Sequence, residues 1–171
     1  SLAWPIRTQH AHWRSVIVTA RSRVAFARIG QMADLMTAFS QALDEPALRR
    51  PVLPDGSPLN REVVWFTRKG CSCPSQYSGV SSFAHPFPAW LDQQTKVCMP
   101  LFLPAGGACR PEADWPDSCN VNVYRNMRDA VGWHSDNERL FAAPTYSILA
   151  LSLGADAKIS FRPVSYTHLR A

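Results

Sequence analysis

Apolar and polar positions alternate at several places along this chain and recur at helical spacing at another. Residues 61–66, Arg-Glu-Val-Val-Trp-Phe, lie between a Pro/Gly-rich stretch (Pro51, Pro54, Gly56, Pro58) and Thr67-Arg68-Lys69-Gly70, which predicts a short strand between a loop and a turn. Trp65 and Phe66 then point to opposite sides, as consecutive strand side chains do. Residues 120–124, Asn-Val-Asn-Val-Tyr, predict a strand with Val121 and Val123 toward a core and Asn122 and Tyr124 on the other face. Residues 145–153 predict a further strand, Gly154-Ala155-Asp156 a turn, and residues 158–162 a strand with Ile159 and Phe161 on one side. Between residues 23 and 43, Val24, Phe26, Ile29, Met32, Leu35, Met36, Phe39 and Leu43 follow a 3.6-residue repeat. That predicts an amphipathic helix, weakened by Gly30 and ended by Pro46. Pro86, Pro88, Trp90 and Asp92 suit the start of a second helix, and residues 100–119 read as a long loop.

Composition narrows the class. The 171 residues are 46% hydrophobic and 18% charged, enough for one globular domain with a sizeable core. No apolar run approaches the ~18 residues of a membrane span, so a soluble protein with no membrane partner is expected; a monomer is expected as well. Cys71, Cys73, Cys98, Cys109 and Cys119 are an odd and sparse set, which points to an intracellular, reducing compartment such as nucleus or cytoplasm. Cys71-Ser72-Cys73 lacks the second ligand pair of a structural zinc site, which favours two ordinary thiols. Arg7, Arg14, Arg21, Arg23 and Arg28 precede the first acid, Asp34, and account for the whole formal charge of +5. Residues 1–33 are therefore a basic leader or arm: an organelle transit segment, an arm held near phosphate, or a solvated leader. Because the chain starts at Ser1, a true beginning upstream of it is an open expectation.

Chemistry concentrates in Trp133-His134-Ser135-Asp136. In an extended segment His134 and Asp136 leave the backbone on the same side, so one cation can touch both. Imidazole and carboxylate together are two thirds of the 2-His-1-carboxylate triad that holds Fe(II) with open positions. His-x-Asp alone is common, and its surroundings decide. Asn122-x-Tyr124, then Gly132-Trp133-His134-Ser135-Asp136-Asn137-Glu138, then residues 147–154 (Ser-Ile-Leu-Ala-Leu-Ser-Leu-Gly) and Phe161-Arg162 resemble, in order and spacing, the AlkB-type Fe(II)/2-oxoglutarate dioxygenases. The likeness covers residues 120–162 closely and 61–91 more loosely.

That resemblance implies an α+β fold with a double-stranded β-helix (jelly-roll) core and N-terminal helices packed on one sheet. It implies oxidative demethylation of alkylated DNA or RNA bases with Fe(II), 2-oxoglutarate and O2, releasing formaldehyde, succinate and CO2. His134 and Asp136 would bind the iron, and Asn122 and Tyr124 the carboxylates of 2-oxoglutarate. In such proteins the strand at 61–66 leads into a nucleotide-recognition lid, and Gln76-Tyr77-Ser78-Gly79 resembles its aromatic-glycine segment. A base taken out of its stack must be held by flat side chains. Trp65, Phe66 and Tyr77 are candidates, Tyr77 foremost because one of the other two belongs to the core, with Arg68 and Lys69 placed for phosphate. Trp133, Asn137 and Glu138 flank the iron pair as further substrate contacts. His85, before a proline, is expected to be structural or exposed.

Two departures qualify the resemblance. Asn137 stands where many repair members carry an acid, and an amide hydrogen-bonds a base without attracting a cationic one. The family's distal histidine and arginine pair would lie farther beyond Asp136 than the chain extends, and His168 in Tyr166-Thr167-His168-Leu169-Arg170 lacks their spacing. The expectation is thus a dioxygenase domain over residues 34–163 that is incomplete, lacking its C-terminal strands, with residues 164–171 a tail of foreign origin. Two alternatives stay open: a non-catalytic nucleic-acid-binding module or decayed copy, and a dioxygenase acting on methylated protein or lipid.

Overall fold

In a computed structural model, the residues described are 14–17, 23–26, 33–68, 71–77, 79–99, 112, 115–134, 136 and 148–162. In chain order the elements are β1 (Arg14–Ile17), β2 (Arg23–Phe26), α1 (Ala33–Leu43), β3 (Glu62–Thr67), β4 (Ser75–Tyr77), β5 (Val80–Ser82), β6 (Ala84–Pro86), α2 (Ala89–Cys98) and β7 (Ser118–Val123). The arrangement is mixed α+β.

The apolar run Val63-Val64-Trp65-Phe66 lies in β3, buried along its length apart from Glu62. A strand buried on both faces reads as a continuous apolar run, and it takes the central place in a three-stranded sheet ordered β6-β3-β7. β7 pairs antiparallel with β3, Val63 opposite Asn122 and Trp65 opposite Asn120. β6 pairs parallel on the other side, where Pro86 sits at an edge that needs no further ladder.

Parity divides the sheet into two faces. Val64 and Phe66 from β3, with Cys119 and Val121 from β7, pack against Leu91 and Trp90 of α2 and against Ala47, Leu48 and Phe87. Phe66, 2% exposed, meets the Trp90 ring edge-on at 6.2 Å, and the Trp90 indole N–H donates to Glu45 Oε2 at 3.1 Å. Burying a ring this fully is worth about 1.5–3 kcal/mol. α1 packs on α2 and on β7, and the buried Leu35 and Ala38 mark its inner side. α2 begins at Pro88, whose backbone is extended and which gives no side-chain cap. Asp92 in its first turn bridges Lys96 one turn on and Arg68 at the end of β3, both at 2.9 Å, so α2 is clamped to the sheet. The opposite face carries Arg61, Val63, Trp65 and Asn122 and lies under the hairpin β4–β5, whose turn uses Gly79 at φ +79°. The Trp65 indole N–H donates to Cys73 O at 2.8 Å, and the Thr67 hydroxyl to Cys71 O at 2.8 Å, tying the approach to this hairpin to β3.

Three expectations change. Residues 23–26, expected to open the long helix, form β2 and pair with β1 in a hairpin within the basic segment, Val24 opposite Val16. Helix α1 starts only at Ala33, after Gly30. Of the strands expected over 145–153 and 158–162, residues 145–147 lie outside the described residues, and 148–153 and 158–162 make no ladder. Ile148, Leu151, Ile159 and Phe161 are 56%, 41%, 63% and 56% exposed, and alternation makes a strand only where a neighbour supplies hydrogen bonds. The expected turn between them is present: Gly154 takes φ +92°, with the Phe39 ring of α1 2.9 Å from where a Cβ would stand. The two facing sheets of a double-stranded β-helix are not formed by the described residues, whose strands make one three-stranded sheet and two hairpins. Among the described residues no helix is long and apolar enough to cross a membrane.

Candidate metal and substrate site

On the hairpin-covered face, alternation places Arg61 beside Asn122, and the Arg61 Nε–H donates to Asn122 Oδ1 at 2.6 Å. Arg61 is 3% exposed. Its guanidinium carbon lies 4.5 Å over the Tyr77 ring, a cation on an aromatic face in a partly desolvated place. Tyr77 in turn meets the His134 ring at 5.7 Å in an edge arrangement of 78°. Residues from β7, the position just before β3, β4 and the loop after β7 are thus linked in one chain of contacts that ends at the histidine.

That loop is held by its charges. Arg50 donates to both carboxylate oxygens of Asp129 at 3.0 Å, the Arg125 backbone N–H donates to the same carboxylate at 2.7 Å, and the Arg125 side chain reaches Glu62 at 2.8 Å and Leu43 O at 2.8 Å. The Ala130 N–H donates to Asn60 O at 2.8 Å. Hydrogen bonds from Arg50 and then from the Arg125 amide hold the Asp129 carboxyl below the usual carboxylate range.

Beyond Ala130 the loop presents His134 Nε2 3.3 Å from Asp136 Oδ1, the two side chains 37% and 45% exposed. Two donors bound to one ion at about 2.1 Å each and at right angles stand ~3 Å apart, so the pair has the spacing of adjacent ligands. His134 Nδ1 lies 2.8 Å from Gly132 O. With the proton on Nδ1 donated to that carbonyl, Nε2 keeps its lone pair for a metal, which is how second-shell contacts orient metal-bound histidines. The donor set, one imidazole and one carboxylate, suits Fe(II). No third His, Cys, Asp or Glu joins them among the described residues.

The remaining candidates divide between this cluster and the rest of the fold. Asn122 faces the cluster, held by Arg61, and Tyr124 lies just past the end of β7, half exposed. Partial burial pushes the Tyr124 phenol up, the Arg61 charge pulling against it and Tyr77 adding to it. Trp133 is 58% exposed and carries the Arg162 guanidinium 4.2 Å over its ring. Trp65 and Phe66 are corrected: at 4% and 2% exposed, both rings are packing residues and neither offers a face to a base. Arg68 is corrected too. It donates to Asp92 and to Pro116 O and lies 5.0 Å over the Phe87 ring, which makes it a clamp between β3 and α2 and removes it from phosphate binding. His85 is exposed on β6, as expected of a residue outside the site. Lys69, Asn137 and Glu138 lie outside the described residues. Arg61 is the residue the sequence reading missed, although its parity with Val63 and Trp65 points a charge to an inner face, which is rare unless that charge is used.

Comparison with curated proteins returned no match. A family model described as the 2OG-Fe(II) oxygenase superfamily matches residues 25–169, a span that contains the His134/Asp136 pair, Asn122, Tyr124 and Tyr77. The chain therefore belongs to the 2OG-Fe(II) oxygenase superfamily, enzymes of jelly-roll fold that use Fe(II), 2-oxoglutarate and O2.

Proposed function

We propose that this oxygenase is of the AlkB type and demethylates alkylated bases of DNA or RNA, releasing formaldehyde, succinate and CO2. The observation that carries this reading is the contact between Tyr77 on the hairpin and the ring of His134. It sets an aromatic surface suited to a flat, extracted base beside the histidine that would hold the metal. His134 Nε2 and Asp136 Oδ1 would hold the iron, the carboxylate offsetting part of its charge. Bound iron with 2-oxoglutarate and oxygen supplies the oxidation of the methyl group. Asn122 and Tyr124 would hydrogen-bond the carboxylates of 2-oxoglutarate, with Arg61 fixing the Asn122 amide so that its N–H2 is turned away from the guanidinium. Tyr77 and Trp133 would position the base, and Arg162 beside Trp133 adds positive charge at the same mouth.

A double-stranded β-helix completed beyond the described strands belongs to this reading, as does a monomer that meets nucleic acid and no membrane. The free thiols of Cys71, Cys73, Cys98 and Cys119 suit an intracellular, reducing compartment.

The test is turnover with Fe(II), 2-oxoglutarate and oligonucleotides carrying N-methylated bases, reading formaldehyde and succinate together. Both should appear and both should vanish in Asp136→Ala. Succinate on methylated peptide or lipid alone would move the substrate away from nucleic acid. Iron-independent nucleic-acid binding without succinate would make the chain a binding module.

A further inference from the structure

We infer that Cys71 and Cys73 form a thiol–disulfide exchange site, which reacts with a small disulfide of the glutathione class and closes to a Cys71–Cys73 disulfide on the approach to the β4–β5 hairpin.

The backbone around the two thiols holds them together. The Cys71 N–H donates to Arg68 O at 3.2 Å, Cys71 O accepts from the Thr67 hydroxyl, and Cys73 O accepts from the Trp65 indole, both at 2.8 Å. Thr67 and Trp65 are buried, so the segment is tied to the interior of β3 at both of its cysteines. Pro74 follows and stiffens the exit toward β4. On this short tether the thiols are hydrogen-bonded to each other, and the Cys71 sulfur holds the Cys73 thiol above the usual thiol range. Cys71 is half-buried and Cys73 exposed. Beside Cys71 lies a cavity of about 200 Å³, open to solvent and lined by Thr67, Ser72, Ala84 and His85 among others. The Ser72 hydroxyl and the His85 imidazole suit a disulfide whose arms carry amides and carboxylates. No three His, Cys, Asp or Glu among the described residues are grouped to hold a metal ion, which leaves the pair its thiol chemistry.

The exchange runs in two steps, each with a thiolate as nucleophile. Cys71, at the cavity, loses its proton to solvent and attacks one sulfur of the small disulfide. A mixed disulfide forms on Cys71, and one small thiolate leaves and takes up a proton. Cys73 then loses its proton and attacks the Cys71 sulfur, which forms the Cys71–Cys73 bond and releases the second small thiol. In sum, two protein thiols are oxidised by two electrons to one disulfide, and one small disulfide is reduced to two thiols. The second step needs the two sulfurs to close to about 2.05 Å, a short move for groups already in hydrogen-bond contact.

The experiment treats the full chain with glutathione disulfide, quenches with acid at intervals, digests with trypsin and reads masses. Cleavage after Lys69 and Lys96 isolates residues 70–96, whose only cysteines are Cys71 and Cys73. In the wild type this peptide should lose two hydrogens, keep no glutathionyl group, and regain both hydrogens with a dithiol reductant. Cys73→Ser should stop at one glutathionyl group on Cys71. The mixed disulfide should resolve about tenfold or more faster in the folded chain than in urea, because the anchors on β3 raise the effective concentration of one thiol at the other. Equal rates in the folded and the urea-unfolded chain overturn the inference, since mere closeness in sequence would then suffice. A glutathionyl group that persists on the wild-type peptide, or an unreacted Cys71 in Cys73→Ser, overturns it as well. Should circular dichroism find Cys73→Ser unfolded, the wild-type products and rates decide.

Discussion

Tyr77 shows how one side chain can be weighed by its ring alone. Its contacts with Arg61 and His134 are made by the aromatic face and edge, so Tyr77→Phe should keep kcat/KM within about threefold, whereas Tyr77→Ala should lose about tenfold or more, the worth of one base stacked on an aromatic. Steady-state kinetics on a methylated oligonucleotide checks both. Cys119 gives a second residue-scale outcome. Burial under α2 pushes its thiol up to about 11, and the thiolate is the reactive form. In the native protein at pH 7.5 Cys119 should therefore stay unmodified while the exposed Cys73 is alkylated, as peptide mapping by mass spectrometry would read. At this scale the sequence was informative wherever alternation alone settles direction. Asn122 points to the site and Val121 and Val123 to the core because a strand's side chains alternate. What parity cannot say is which of two buried faces holds the chemistry. One of Trp65 and Phe66 was expected in the core, and both are interior because α2 covers one side and the hairpin the other.

Among the elements, β3 carries the most. It pairs on both edges and packs on both faces, so its side chains have no room to relax. Phe66→Ala should cost about 3–5 kcal/mol, seen as a lower urea midpoint with an unchanged slope. Element boundaries were less legible than element faces. Arg23-Val24-Ala25-Phe26 fits a helix repeat and a strand alternation alike, because four residues are too few to separate a period of 3.6 from one of 2. Pairing with Ser15-Val16-Ile17 decides for the strand, and such a partner is invisible to a local pattern. The same reasoning accounts for residues 148–162, where the alternation is present and the ladder is not. Where a turn or helix start depends on backbone geometry alone, as at Gly154 or Pro88, the expectation and the structure agree.

For the whole molecule, acid is the informative stress. Asp129 and Asp92 both have carboxyls held below the usual range, Asp129 by Arg50 and the Arg125 amide, Asp92 by Lys96 and Arg68. A carboxyl with a depressed folded-state pKa stabilises the fold above its unfolded value and loses that contribution as pH falls through the folded one. Melting temperature should thus be level from pH 7 to about 5 and drop below about 4, near the ordinary carboxylate pKa. Asp129→Asn should be less stable at pH 7 and show a shallower acid slope in a thermal melt. Metal dependence is read at the same scale: a chelator should abolish 2-oxoglutarate turnover and added Fe(II) restore it, with the melt of the metal-free chain little changed, since β3, α2 and the ion pairs of the loop hold the fold without the ion.

The clamps at Asp129 and Ala130 make the His134/Asp136 pair a chelator on a leash. The chain is fixed where Ala130 donates to Asn60, and four residues of extended backbone reach no more than about 14 Å. An ion captured by the pair is therefore confined to a small volume around Tyr77 and Asn122, at an effective concentration in the millimolar range. The length of the leash then tunes delivery independently of the ligands themselves. Inserting two glycines between Val131 and Gly132 should leave metal affinity of the pair nearly intact while diluting the ion beside Tyr77 and Asn122, so that turnover falls and binding does not.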